Sequence, residues 1–159
     1  MCYLPSQLQF ANGESATFSR IAFDGYVRSY YTYTPASVSG KVPLVVDLHG
    51  AGGCSSYIPF YSGWQQTAAE HGFVVVWPQG IAGDGDSGGT WNAGRCCGFA
   101  AAQDVDDVNF LRRVINLATA ANSDIETNRV YFTGHSNGCM MGAPPRIPLA
   151  SASTLAACL

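Results

Sequence analysis

The stretch Arg129-Val-Tyr-Phe-Thr-Gly-His-Ser-Asn-Gly138 runs a short β-branched and aromatic segment into a Gly-x-Ser-x-Gly pentapeptide. Val130 to Thr133 is good strand material. The pentapeptide reads as a nucleophile elbow, a sharp strand-to-helix turn that strains the backbone of its central serine and pushes Ser136 Oγ out above the edge of a sheet. Gly134 and Gly138 lie two positions either side of that serine, where a Cβ would drive the incoming strand into the outgoing helix. In a chain with 18 glycines the bare pattern is weak, and its weight comes from what precedes it.

Working outward, Pro43-Leu-Val-Val-Asp-Leu48 and Phe73-Val-Val-Val-Trp77 are almost continuous apolar runs, as expected of strands buried on both faces. Between them, Ser62-x-x-Gln65 is a capping-box signature for a short helix through Trp64, Thr67, Ala68 and His71, with Gly72 as its C-cap. Asp104 is expected to cap a longer helix to about Ala121, because Val108, Leu111, Ile115 and Ala118 recur at the spacing of one buried face. Residues 123–128 read as a polar connection to the elbow strand. Residues 16–23 and 26–33 read as two strands joined at Asp24-Gly25, forming an antiparallel edge. The alternation of buried strand and helix predicts an α/β fold: a three-layer α/β/α sandwich around a mostly parallel sheet with an N-terminal antiparallel hairpin. Residues 1–159 read as one domain. The Gly-rich segment from Pro78 to Gln103 is long for a structureless loop and is read as functional.

Composition narrows the function classes. Charged residues are 12% of the chain against a typical quarter, which gives it the character of a secreted protein. A net charge of -3 with scattered Lys and Arg excludes nucleic acid as a partner. The longest apolar runs fall far short of the roughly 20 residues of a membrane span. The six cysteines, Cys2, Cys54, Cys96, Cys97, Cys139 and Cys158, match no zinc spacing and read as disulfide-forming, although the N-terminal residues resemble no signal peptide.

In a parallel sheet, sites form beyond the carboxyl ends of the strands. The loop His49-Gly-Ala-Gly-Gly-Cys54 follows one such end, and the N–H of Ala51, or of Gly52, is placed to pair with the N–H of Asn137 in holding an oxyanion. His49 and Gly50 are read as supporting that loop, with His49 ordering it by hydrogen bonds rather than acting as base. His71 suits the end of its helix, and His135 is read as packing. Asp106 and Asp107 are read as first-turn acids favoured by the helix dipole. Asp84 and Asp86 lack the bidentate Glu of a calcium loop. No cofactor and no metal are implied.

Taken together, these residues resemble the secreted serine esterases of the α/β-hydrolase superfamily that includes feruloyl esterases, acetylxylan esterases and polyhydroxybutyrate depolymerases. The resemblance spans roughly Asp24 to Gly142. It is carried by Arg28-Ser-Tyr-Tyr-Thr-Tyr-Thr-Pro35, Val42-Pro-Leu-Val-Val-Asp-Leu-His-Gly50, Trp64 with Ala68 and Gly72-Phe73, Trp77-Pro-Gln79, Trp91-Asn92 with Cys96-Cys97, Asp106-Asp107-Val108 with Phe110-Leu111, and the elbow. It implies a partial α/β-hydrolase fold, Ser136 as nucleophile, and Ala51 and Asn137 at the oxyanion-hole positions. It places Trp91 and Asn92 at a candidate substrate rim and one of Cys96 and Cys97 in a disulfide to Cys54 across that rim. It also implies an extracellular location. The substrate class would be a plant cell-wall phenolic or acetyl ester, or a polyester.

One departure is severe. The superfamily triad runs Ser, then Asp or Glu, then His along the chain, and residues 137–159 contain none of the three acid or base types. Gly142-Ala-Pro-Pro-Arg-Ile-Pro148 also puts three prolines where a helix should pack behind the nucleophile. The expectation is an incomplete domain with an aberrant tail over 143–159, an elbow strand left as an exposed edge, and a chain of little activity. The alternative is a non-catalytic protein that binds carbohydrate surfaces through Trp91, Tyr57 and Tyr61.

Overall fold

Asp24 and Gly25 both sit at positive φ, 50° and 76°, which is the type I′ geometry that matches the twist of paired strands. They join β2 (Ser15–Phe23) to β3 (Tyr26–Tyr33) in the expected hairpin. The computed structural model describes residues 2–83, 88–143 and 156–158. A short β1 (Gln7–Gln9) lies outside β2, so the sheet edge is one strand further out than the sequence suggests.

The other elements are β4 (Val42–Leu48), α1 (Trp64–His71), β5 (Val74–Pro78), α2 (Gly98–Ala102), α3 (Asp107–Ala121), β6 (Ile125–Gly134), α4 (Asn137–Gly142) and β7 (Ala156–Cys158). The sheet order is β1-β2-β3-β5-β4-β6-β7. β4 pairs in parallel with β5 and β6, and β6 with β7, whereas β1, β2, β3 and β5 pair antiparallel in sequence. The sheet is therefore mixed, parallel through β5, β4, β6 and β7, with an antiparallel N-terminal edge that extends beyond the hairpin.

β4 explains the layering. Val42, Leu44, Val46 and Leu48 face one side, packing with Val114, Leu111 and Phe110 of α3. Val45 faces the other side with Val75, Trp77 and Ala68 of α1. Because both faces are covered, the strand tolerates no alternation of polar residues, which is why it reads as a continuous apolar run.

Four expectations are corrected. α1 begins after Gly63, which takes the N-cap at φ 77°, and makes no side-chain cap bond; the buried Ser62 hydroxyl lies near Asp47 instead. α3 is capped by Asp106, whose carboxylate accepts the Asn109 N–H, while Asp104 turns the chain at φ 49°. Residues from Ile125 onward already belong to β6, since Val42 and Ile125 are paired in register. The elbow strand is not an open edge at its carboxyl end: β7 pairs with Phe132, Thr133 and Gly134, and a Cys139–Cys158 disulfide ties β7 to α4. The Asp84 and Asp86 loop and the tail prolines lie outside the described residues, as does most of the segment read as aberrant.

Asp47 is the polar exception within β4. Its side chain is fully buried, and Oδ2 accepts the Trp77 Nε1–H at 3.0 Å. Burial pushes its carboxyl up to about 6, opposed by the nearby Ser62 hydroxyl and the Trp77 hydrogen bond. A carboxyl whose folded pKa is raised binds its proton more tightly in the folded state, so its contribution is complete below the unfolded value and is lost as pH rises through the folded value. Asp47→Asn removes this contribution. Relative to the parent, the variant should gain about 3 kcal/mol of stability between pH 3.5 and pH 7, as measured by urea unfolding at each pH. A difference that is flat with pH would contradict the buried, raised carboxyl.

Candidate active site

The elbow is formed at the carboxyl end of β6. Ser136 sits at φ 50°, ψ -113°, outside the conformations that a non-glycine residue adopts freely. The strain is held by close approach of the backbone. A Cβ on Gly138 would lie 2.3 Å from the Leu48 carbonyl oxygen and 2.5 Å from that of His49, and one on Gly134 would lie 2.7 Å from the Gly138 carbonyl carbon. The His135 N–H donates to the Leu48 carbonyl at 3.0 Å, fastening the turn to the end of β4. Ser136 is exposed, and among the described residues its hydroxyl has no hydrogen-bond partner.

The facing loop starts at His49, which is fully buried. The Gly80 N–H donates to its Nε2 at 2.9 Å, so that nitrogen carries no proton. Nδ1 must then be the protonated nitrogen, donating to the Gly50 carbonyl at 2.8 Å. Both ring nitrogens are committed and burial pulls the imidazole down to about 4. His49 is a neutral bracket and has no lone pair for Ser136.

The backbone donors of the loop divide cleanly. The Gly52 N–H donates to Gly89 O at 2.9 Å, and the Gly53 N–H to Gly50 O at 2.9 Å. Gly52 is thus removed as an oxyanion donor. Among the described residues Ala51 N–H has no acceptor. Asn137 N–H, at the first position of α4, lacks one within its helix. Gly50 packs tightly below them, since a Cβ there would lie 2.9 Å from His135 Nδ1 and 3.5 Å from Ser136 Cβ.

Trp91 is not on a substrate rim. It is fully buried, and its Nε1–H donates to the His49 carbonyl at 2.9 Å. Its backbone grips the Asn137 side chain from both ends: Trp91 N–H donates to Asn137 Oδ1 at 2.8 Å, and Asn137 Nδ2 donates to Trp91 O at 3.0 Å. A second interior tryptophan with a carbonyl to bond is cheaper to bury than to expose. Asn92 is partly buried and directs Nδ2 to Asp104 and the Val105 carbonyl. Tyr57 and Tyr61 remain exposed, so the carbohydrate-platform alternative loses only its tryptophan. Cys54 pairs with Cys2 and Cys96 with Cys97, so no disulfide bridges Cys54 to the pair.

The sequence reading missed the roles of Arg28, Gln79 and Asp107. Gln79 Oε1 accepts the Ser55 N–H at 2.7 Å and so fixes the far end of the glycine loop. Asp107 is buried and paired with Arg28 at 2.7 Å, which goes well beyond a helix-dipole preference. Burial pushes its carboxyl up, while Arg28 and the Asn92 N–H hold it back. The only local signal was the Asp-Asp pair itself. Neither His71, exposed at the end of α1, nor His135 has a hydrogen bond to Ser136.

The chain is 31% identical over 116 residues to the bifunctional acetylxylan esterase/xylanase of Neocallimastix patriciarum, covering 73% of this chain and 15% of that protein. It is 30% identical over 118 residues to poly(3-hydroxyalkanoate) depolymerase C of Paucimonas lemoignei, covering 70% and 26%. The solved acetyl xylan esterase of Aspergillus awamori superposes with a TM-score of 0.61 at 18% identity, over 89% of this chain and 53% of that one. The homologues of the chain are acetylxylan and feruloyl esterases and a polyhydroxyalkanoate depolymerase, and its fold is that of the solved esterase it superposes on. The chain spans only 15% and 26% of the lengths of the two relatives. No family model matches it.

The close approach at the elbow gives a direct test. Gly138→Ala should cost about 2 kcal/mol or more, because both neighbours of the new Cβ are backbone carbonyls that cannot rotate away. Urea unfolding measures it, and a variant as stable as the parent would contradict the described turn.

Proposed function

We propose that this chain carries the nucleophile and the oxyanion-binding half of a serine carboxylic ester hydrolase. Its substrate would be an acetyl or phenolic ester of plant cell-wall polysaccharide, or a polyester. The observation that supports this reading best is the strained, exposed Ser136 beside two N–H groups with no acceptor among the described residues, those of Ala51 and Asn137. In the reaction, Ser136 Oγ attacks the ester carbonyl carbon, and the carbonyl oxygen becomes an oxyanion held by the two N–H groups. The serine proton passes to the departing oxygen, which leaves as the alcohol, and water hydrolyses the acyl-serine to the free acid and restores the Ser136 hydroxyl. The activities of the homologues favour this substrate class. Pairing of all six cysteines suits an oxidising, extracellular setting.

The base is the weak point of the constellation in these 159 residues. No Asp, Glu or His follows Ser136, and His49 has both nitrogens engaged. In a serine protease, losing the base alone costs about a millionfold in turnover. The chain should therefore acylate with an activated ester and then deacylate poorly. Incubation with p-nitrophenyl acetate followed by intact-mass and peptide analysis should give a single acetyl group on Ser136, absent in Ser136→Ala, with turnover far below that of ordinary esterases. No acetyl group at Ser136 would overturn the nucleophile assignment. Turnover at an ordinary esterase rate would overturn the view that the base is missing.

A further inference from the structure

Arg28, on β3, and Asp107, at the first position of α3, are separated by 79 positions, yet they meet as a buried pair at 2.7 Å. The guanidinium lies over the Phe110 ring, 3.8 Å from its centroid. Such a pair contributes little net stability, since desolvating two charges offsets most of their attraction. Its hydrogen bonds to backbone suggest another use. Arg28 Nη2 also donates to the Gln79 carbonyl at 3.2 Å. Asp107 Oδ2 accepts the Asn92 N–H at 2.7 Å.

These bonds complete a ring. From Asp107 it passes to Asn92 and the adjoining Trp91, which holds the Asn137 side chain by two bonds and the His49 carbonyl by a third. From His49 it passes through Nε2 to the Gly80 N–H, then along the chain to Gln79 and back to Arg28. The ring spans the carboxyl ends of β4, β5 and β6 and contains neither Ser136 nor any exposed donor. Its two outputs are the residues that flank the oxyanion donors: His49 leads into Ala51, and Asn137 carries its own N–H.

We propose that the Arg28–Asp107 pair is a positioning element for the oxyanion hole. Asp107 fixes the Trp91–Asn92 segment through the Asn92 N–H, and that segment sets the distance between Asn137 and the Ala51 loop. The inference rests on the proposed serine-hydrolase reading for its purpose but not for its geometry. Misplacement of reacting groups by about 1 Å is enough to slow a reaction a hundredfold, so a ring that fixes two donors on different strand ends acts on rate without touching substrate.

Asp107→Asn tests it, because the amide keeps the size of the side chain and removes the charge that holds both Arg28 and the Asn92 N–H. Hydrogen exchange should be followed at Trp91 Nε1–H, the Asn137 side-chain amide and, as reference, the Val45 and Val75 amides within β4 and β5. Protection at Trp91 and Asn137 should fall about tenfold, the equivalent of one lost hydrogen bond, with the reference amides unchanged. Acetylation of Ser136 by p-nitrophenyl acetate should slow by a similar or greater factor. Unchanged protection at Trp91 and Asn137, or an equal loss at Val45 and Val75, would overturn the positioning role. If the parent does not acetylate, the serine-hydrolase reading fails while the exchange data still decide the ring. Should Asp107→Asn not fold, the Arg28→Met/Asp107→Leu double variant removes both charges and leaves no orphaned ion, and the same two outcomes apply to it.

Discussion

The structure depends on one steric fact: the backbone after Ser136 passes against the last carbonyl of β4 and the one that follows it. The Leu48 and His49 oxygens stand where the Cβ of any residue larger than glycine at 138 would lie. This contact ties the elbow to the strand that bears the glycine loop, so the nucleophile and its facing donors share one rigid base. The positive φ of Ser136 follows from it. The chain has to reverse within the few residues between Gly134 and Gly138, and the serine absorbs the turn.

Around that contact the protein buries more polar groups than a stable core requires. His49, Asp47, Asp107, Arg28 and Asn137 are all buried. Each makes at least one hydrogen bond to backbone or to a tryptophan indole. Burying these groups costs free energy that an apolar core would save. What the arrangement supplies is a single orientation for three strand ends. Its energetic signature is opposed: burial pulls the His49 imidazole down to about 4 and pushes the Asp47 carboxyl up to about 6. Acidification below neutrality therefore destabilises through His49 and stabilises through Asp47 over overlapping pH ranges.

The elbow was legible in the sequence because its rule is local: two glycines flank a serine after a strand, and sterics within five residues decide the rest. β4 and β5 were legible for a similar reason, since burial on both faces leaves a continuous apolar run. The Asp24–Gly25 hairpin carries its turn type in the dipeptide. What failed was long-range or degenerate. Asp104 and Asp106 are equivalent as caps by residue type, and only the chain path selects Asp106. The resemblance puts Trp91 on a rim, whereas its indole is buried against a partner carbonyl at His49, 42 positions away. The Arg28–Asp107 pair and the Cys2–Cys54 and Cys139–Cys158 partners are set by topology, which no local pattern encodes. The β7 pairing that covers the carboxyl end of the elbow strand arises from residues after the pentapeptide with no strand signal of their own.

The central claim is that Ser136 Oγ and the N–H groups of Ala51 and Asn137 converge on one point. A crystal structure of the chain after reaction with an activated alkyl phosphonate ester would test it most directly, because the tetrahedral phosphoryl group mimics the oxyanion intermediate. The account predicts phosphorus bonded to Ser136 Oγ and its phosphoryl oxygen about 2.7–3.1 Å from both N–H groups, with Ser136 still at positive φ. A phosphoryl oxygen turned to solvent, or a Ser136 backbone relaxed to negative φ, would contradict it.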